Sequence, residues 1–333
     1  SPNYRRGRDR KKISWRRDMK TKSTREAAIT AIIEKAEQDE RIVIVSPDSL
    51  LASRATPFAE KFPERLIEVG IAEQNAVLVA AGLASTGMKP IVITYAGFLT
   101  MRACEQIRTF VAYPGLDVKF IGLNGGMFGG EREGVTHQFY EDIGIMRSVP
   151  GVNIITPADA GQTYKATQTM LQLEEPVYLR LGSGREIVVF PDDTPFEFGK
   201  VRVVKHYGYD VAIFAAGFIM NRAIEALEQL KEQGINGVLV DVSTAKPIDS
   251  AGITKILQKT NCVVAVEDHN IYGGMASAIC EVSTLYHPCK IIRMGLNDIY
   301  PRSGHADKLL DAYGLSVDSI VENAKKAMNI KAT

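Results

Sequence analysis

Apolar positions in this chain recur in two rhythms that alternate along its length. Ala27, Ile29, Ile32, Ile33 and Ala36 are spaced to put one apolar face on a helix that starts within Lys22-Ser-Thr-Arg25 and runs to about Gln38. Short apolar runs at 42–46, 66–69, 90–94, 117–122, 152–156 and 177–181 predict strands, and helical spacing fills 72–86, 97–112, 139–147 and 159–173 between them. This alternation predicts an α/β domain, a mostly parallel sheet with helices on both faces. Ligands of such sheets bind at the carboxyl ends of the strands, where Glu73, Tyr95 and the loop 124–138 fall.

The rhythm stops at 186–205, where Pro191-Asp-Asp-Thr-Pro195 and the lack of a long apolar period predict a linker. A second, smaller α/β unit follows over 206–333. Its strands are expected at 211–215, 236–241, 263–267 and 290–293, and its helices at 219–233, 271–286 and 316–328. Within it, Glu267-Asp268-His269 before Gly273-Gly274 reads equally as a site and as a strand end running into a helix.

Composition changes this picture little. The 333 residues suggest two or three domains, and 45% apolar residues suffice for real cores. No stretch has the length of a membrane span, the N-terminus lacks an apolar signal region, and Cys104, Cys262, Cys280 and Cys289 show no metal-type spacing. A cytoplasmic location is expected. Charge is asymmetric: the net +1 combines +8 over residues 1–22 with −7 over the rest. A basic tail over 1–21 reads as a solvated extension, and the mildly acidic remainder gives no sign of a nucleic-acid face.

Several residues stand out as chemistry. Glu73, in Gly70-Ile-Ala-Glu-Gln-Asn75, lies where an apolar strand end meets the first turn of an alanine-rich helix. The helix dipole alone would favour a glutamate there. A carboxyl group buried among apolar neighbours also holds its proton more tightly and can hydrogen-bond a ring nitrogen of a heteroaromatic cofactor, the contact thiamine diphosphate needs. Tyr95 and Phe98 are spaced to line a slot for a flat ring, or simply to fill the core. His137 sits in a glycine-rich loop, where an imidazole can exchange protons or cap backbone.

The motifs Tyr95-Ala-Gly-Phe98-Leu-Thr-Met-Arg102, Ala112-Tyr-Pro-Gly115, Gly130-Glu-Arg-Glu-Gly-Val-Thr-His137-Gln138 and Thr156-Pro-Ala-Asp159 resemble, in order and spacing, those of transketolase pyrimidine-binding domains. The resemblance runs from about residue 22 to the C-terminus and is closest to the C-terminal section of a split, two-subunit transketolase. It implies a thiamine-diphosphate-binding pyrimidine domain over 22–185, a linker over 186–205 and a transketolase C-terminal-like domain over 206–333. It implies that Glu73 drives the cofactor's aminopyrimidine to its reactive tautomer, that Tyr95, Phe98, Asp48 and Arg102 line the cofactor side, and that His137 meets substrate hydroxyls. For Arg102, a structural ion pair to Glu105 or Asp142 is the alternative. Arg25 and Arg180 are implied phosphate ligands of a sugar-phosphate substrate, with surface solvation as the alternative.

The chain departs from that pattern where Arg132-Glu133-Gly134 replaces an acid-Asp-Gly and where Asn124-Gly125-Gly126 replaces a substrate histidine. Glu133 and Asn124 therefore bear on which substrate is used. The chain also has no Gly-Asp dipeptide, whereas the family binds Mg²⁺ and the diphosphate through Gly-Asp-Gly and a downstream Asn. A partner N-terminal subunit carrying that motif is expected, in an α2β2 assembly. The expected reaction moves a two-carbon ketol unit from a phosphorylated ketose to an aldehyde. A deoxyxylulose-phosphate-synthase-like or 2-oxo-acid dehydrogenase β-like chain is the enzymatic alternative, and a non-catalytic scaffold subunit the other.

Overall fold

The computed structural model describes residues 21–127 and 133–331. Residues 1–20, with most of the basic tail, and 128–132, with the Gly130–Arg132 part of the loop motif, lie outside the described residues.

Seven strands form the first sheet. From edge to edge they are Thr244–Lys246, Asn153–Ile155, Val177–Arg180, Lys119–Leu123, Lys89–Tyr95, Ile42–Ser46 and Leu66–Glu68. All neighbours are parallel except Thr244–Lys246, which pairs antiparallel with Asn153–Ile155. Period two sorts the strand side chains into two cores. Val45, Val92, Phe120, Ile154 and Tyr178 pack with the helix Glu73–Ser85 and the helical run 98–112 on one face. Ile44, Ile91, Ile93, Ile121 and Leu179 pack with Thr24–Ala36 and Ala160–Met170 on the other. Both of the latter helices are capped by side chains, Ser23 Oγ accepting from Glu26 N at 3.1 Å and Asp159 Oδ1 from Gln162 N at 2.9 Å.

The second sheet has five strands, ordered Lys290–Leu296, Cys262–Asn270, Ala212–Ala215, Val238–Asp241 and Arg202–His206, the last antiparallel. Its faces are covered by Met220–Glu232 with Val317–Lys331, and by Ser250–Thr260 with Met275–Tyr286.

The structure differs from the sequence expectation at identifiable points. Thr21–Lys22 is a strand paired with Glu186–Ile187, so the tail's last residue and the linker's first are ordered together. Glu186 is buried and accepts from Thr24 N and Thr24 Oγ1 at 3.2 and 2.9 Å. The end of the predicted linker is strand Arg202–His206. The helices Leu50–Ser53 and Thr56–Lys61 are too short to show a period, and Ser250–Thr260 and Ala306–Ala312 were also not anticipated. The predicted helix 97–112 winds through wide π turns at Phe98–Arg102 and Ile107–Ala112 around Cys104–Gln106, a geometry common near functional sites.

The two domains are joined by more than the linker. Thr244–Lys246 belongs by sequence to the second domain and by pairing to the first sheet. Both carboxylate oxygens of buried Asp268 accept from Met127 N, at 3.1 and 3.0 Å, and His269 Nε2 accepts from Gly144 N at 3.2 Å. Glu267 caps the helix Met275–Tyr286, accepting from Met275 N and Ala276 N at 2.7 and 3.0 Å. The Glu267-Asp268-His269 run is therefore a clamp between domains and a helix cap.

Candidate active site

Parallel order brings the strand ends Ser46, Tyr95, Leu123 and Arg180 to one edge of the sheet, and most of the predicted residues follow them. Asp48 lies just past Ser46, exposed and in the left-handed region at φ 54°. Glu73 is the first residue of its helix and is only 5% exposed. It lines a solvent-open cleft of about 530 Å³ together with Ile71, Ala72, Gln74, Asn75 and Arg102.

Arg102 organises this cleft. Its Nη1 donates to Glu73 Oε1 at 2.9 Å, and its guanidinium lies 3.8 Å from the centre of the Phe98 ring. Gln74 Nε2 donates to the Arg102 carbonyl at 3.0 Å. The alternative of an ion pair from Arg102 to Glu105 or Asp142 is thus replaced by a pair with Glu73, a contact made 29 positions away that spacing along one helix could not reveal.

Behind Phe98 the aromatic residues close ranks. Tyr95 and Phe98 meet edge to face at 5.6 Å, and the His137 ring stands 5.2 Å from each. Phe139 packs against Phe98 at 5.3 Å. His137 ends the short turn Gly134–His137, and its Nδ1 is 3.0 Å from Thr136 Oγ1. Gly97 is required here: a Cβ at that position would stand 2.0 Å from Phe139 Cδ1. Glu73, Arg102, Phe98, Tyr95 and His137 therefore form one unbroken chain of contacts.

The second domain braces this loop, which the sequence did not announce. Gln138 Nε2 donates to Arg302 O at 3.2 Å, and a Cβ on Gly134, whose φ is 74°, would meet Ser303 Oγ at 2.5 Å. Glu133 precedes that turn and is exposed.

Arg25 and Asn124 form a separate cluster. Arg25 is buried, and its fork donates to Gly182 O at 3.1 and 2.9 Å, to Ala52 O at 2.7 Å and to Asn124 Oδ1. Asn124 takes φ 58°, which places its side chain against that fork. Burial lowers the Arg25 pKa, against the opposing pull of Glu186 and Tyr95, and the cations Arg54 and Arg185 push the same way as burial. Arg54 and Arg185 are exposed and stand on the segments whose carbonyls Arg25 holds.

Arg180, the other residue expected to meet a phosphate, lies inside the protein. It is 3% exposed; its Nε donates to Asp142 Oδ2 at 2.8 Å, and its Nη2 to Asp268 O at 2.8 Å and Phe139 O at 3.3 Å. Tyr178 Oη also donates to Asp142 Oδ2, at 2.6 Å. The buried Asp142 carboxylate is thereby paired with a cation, and the arginine ties strand, loop and second domain together.

Chemically, the arrangement offers a buried carboxylate at the cleft and, reached through Arg102, an aromatic face and an imidazole in one run of contacts. That combination suits a flat nitrogen heterocycle with a polar, hydroxylated neighbour. Among the described residues no group of His, Cys, Asp and Glu is arranged to hold a metal ion, and no helix is long and apolar enough to cross a membrane.

Comparison with known proteins gives the family of both domains. Residues 20–185 match the family described as transketolase, pyrimidine binding domain, and residues 199–320 match transketolase, C-terminal domain. A putative transketolase C-terminal section of Methanocaldococcus jannaschii is 38% identical over 89% of this chain and 93% of its own length. A 6-deoxy-6-sulfo-D-fructose transketolase subunit of a Clostridium species is 34% identical over 92% of this chain and 95% of its own. A solved structure titled split gene transketolase, inactive beta4 tetramer, superposes with a TM-score of 0.84 at 35% identity, covering 93% of this chain and 99% of that one. The chain belongs to the transketolase family, and it corresponds to the C-terminal section, pyrimidine-binding plus C-terminal domain, of the split thiamine-diphosphate-dependent enzymes.

Proposed function

We propose that this chain forms the pyrimidine side of a thiamine-diphosphate site completed by an N-terminal subunit that holds Mg²⁺ and the diphosphate. The complex would transfer a two-carbon ketol unit from a ketose bearing a terminal anion to an aldehyde. The carrying observation is the contact chain that runs from Glu73 and Arg102, at the cleft, through Phe98 to Tyr95 and His137.

The cleft fits the pyrimidine. Glu73 is a buried carboxylate paired with a half-exposed arginine, so it can turn to a ring nitrogen; Phe98 and Tyr95, beyond Arg102, supply an apolar wall. When bound, thiamine diphosphate supplies the carbon nucleophile of the reaction. Glu73 holds and moves the proton at the ring nitrogen, and the His137 imidazole exchanges a proton with a substrate hydroxyl. Asp48 stands at the same sheet edge. Asn124 and Glu133 replace family residues on the substrate side, and loss or gain of one hydrogen bond there changes specificity about ten- to a hundredfold.

The terminal anion rests on the cations around Arg25. A buried arginine flanked by exposed Arg54 and Arg185 gives a positive rim beside Tyr95 and Asn124. The sulfonated substrate named for the Clostridium relative suits such a rim as well as a phosphate does. Arg180, held by Asp142 and by the carbonyls of Phe139 and Asp268, is left out of this reading. Self-association of this chain, as α2β2 with its partner, is part of the proposal and agrees with a relative that forms a tetramer.

Assaying the assembled complex against a panel of ketoses with terminal phosphate, sulfonate or no anion tests the reading. Anionic ketoses should be turned over with much higher kcat/KM, and Glu73→Gln should cut kcat by about a hundredfold or more while the complex stays folded. Equal use of neutral ketoses would remove the rim from the site, and an undiminished Glu73→Gln would remove Glu73.

A further inference from the structure

Arg102 makes two contacts at once, and they are the two that a bound pyrimidine needs. Its guanidinium covers the Phe98 face at 3.8 Å while its Nη1 donates to Glu73 Oε1 at 2.9 Å. A guanidinium is flat, carries its N–H groups in its plane and stacks on aromatic rings, so it resembles an aminopyrimidine in shape and in donors. Ring and guanidinium cannot occupy Phe98 and Glu73 together.

We propose that Arg102 is a placeholder for the cofactor ring: its side chain fills the pyrimidine position in the unassembled chain and must swing out before the ring can bind. The inference rests on the pyrimidine-site reading above and adds a step to it. The side chain has room to move, being 48% exposed on the cleft side, whereas Glu73 is 6% exposed. The backbone stays in place, because Gln74 Nε2 anchors the Arg102 carbonyl at 3.0 Å. Closing the slot with a cation also leaves the buried Glu73 carboxylate paired, so the empty subunit holds no orphan charge.

Thermodynamically the closed state taxes binding. If only a minor fraction of molecules has Arg102 swung out, the apparent affinity falls by that fraction. Removing the side chain lifts the tax, whereas removing a true cofactor ligand would weaken binding. The two roles therefore predict opposite signs.

The test is calorimetry of thiamine diphosphate, with Mg²⁺, binding to the complex of this chain and its partner subunit. Arg102→Ala and Arg102→Gln should bind about tenfold more tightly than wild type, a change that reports the open fraction. Arg102→Lys, which keeps the charge but loses the flat fork, should lie between wild type and these two. Methylguanidinium added to the Arg102→Ala complex should compete with the cofactor and restore wild-type affinity. Circular dichroism and gel filtration would verify that each variant folds and assembles. Unchanged or weaker binding by folded Arg102→Ala, beside normal wild-type binding, overturns the placeholder alone. Absence of binding in every complex, wild type included, overturns the pyrimidine reading and the placeholder with it.

Discussion

Asp241 lies where the two domains meet, 1% exposed, its carboxylate accepting from Gln162 Nε2 at 2.6 Å with Arg202 Nη2 at 3.7 Å. Burial pushes its pKa up to about 6, against the pull of Gln162 and Arg202. The folded protein therefore binds this proton more tightly than the unfolded chain does. The resulting stabilisation is complete below about pH 4 and is lost as the pH rises through about 6. Asp241→Asn should stabilise the protein near pH 7.5, by up to about 3 kcal/mol at 1.36 kcal/mol per pKa unit, and the gain should vanish toward pH 4. Denaturant unfolding of both proteins across that range checks the sign, and a variant less stable at neutral pH would show that the ion pair outweighs the desolvation. Arg180 makes the complementary point. A charged residue at a strand end suggests a ligand, yet its partners Asp142 and Asp268 lie 38 and 88 positions away and enclose it.

Between residues, the helical run after Tyr95 does the most for the site. Gly97 lets it pass under the Phe139 ring, and Phe139 cannot retreat because its backbone is bonded to Gly126 in both directions, at 2.6 and 3.1 Å. Gly97→Ala should therefore cost about 1–3 kcal/mol as overpacking and should also loosen the pyrimidine site, since Phe98 and His137 lean on the displaced ring. A thermal unfolding midpoint equal to wild type would contradict this packing. The same run shows what patterning makes legible. Apolar period sufficed for every parallel strand of the first sheet and for the long helices of the first domain, but not for the 11-residue helix Ser250–Thr260 of the second. It could not disclose that Phe98–Arg102 winds in π turns, nor that the turn aims Arg102 at Glu73, because those depend on a contact with another element. The helices Leu50–Ser53 and Thr56–Lys61 escaped because neither completes enough turns for a period. Motif spacing brought Glu73, Tyr95, Phe98, Arg102 and His137 forward as cofactor and catalytic candidates; the structure joins those five in one cluster and keeps Arg25 with Asn124 in another.

As a whole molecule, the chain is two α/β domains tied by side chains as well as by sequence. Asp268 on Met127 N, Gln138 on Arg302 O and the strand Thr244–Lys246 bind the second domain to the loops that frame the cleft. The second domain thus acts on the site by holding residues 133–139 in place, beyond any scaffold role. The cleft beside Glu73 stays open to solvent, as an active site shared with another subunit requires. On the proposed reading the site is shared, with the pyrimidine side on this chain and the metal and diphosphate side on a subunit that carries Gly-Asp-Gly. Titrating thiamine diphosphate with and without Mg²⁺ into the isolated chain, and then into its mixture with that subunit, measures it directly. A shared site gives weak binding to the isolated chain that Mg²⁺ hardly improves, and tight, Mg²⁺-dependent binding to the mixture. Tight, Mg²⁺-dependent binding to the isolated chain would contradict it.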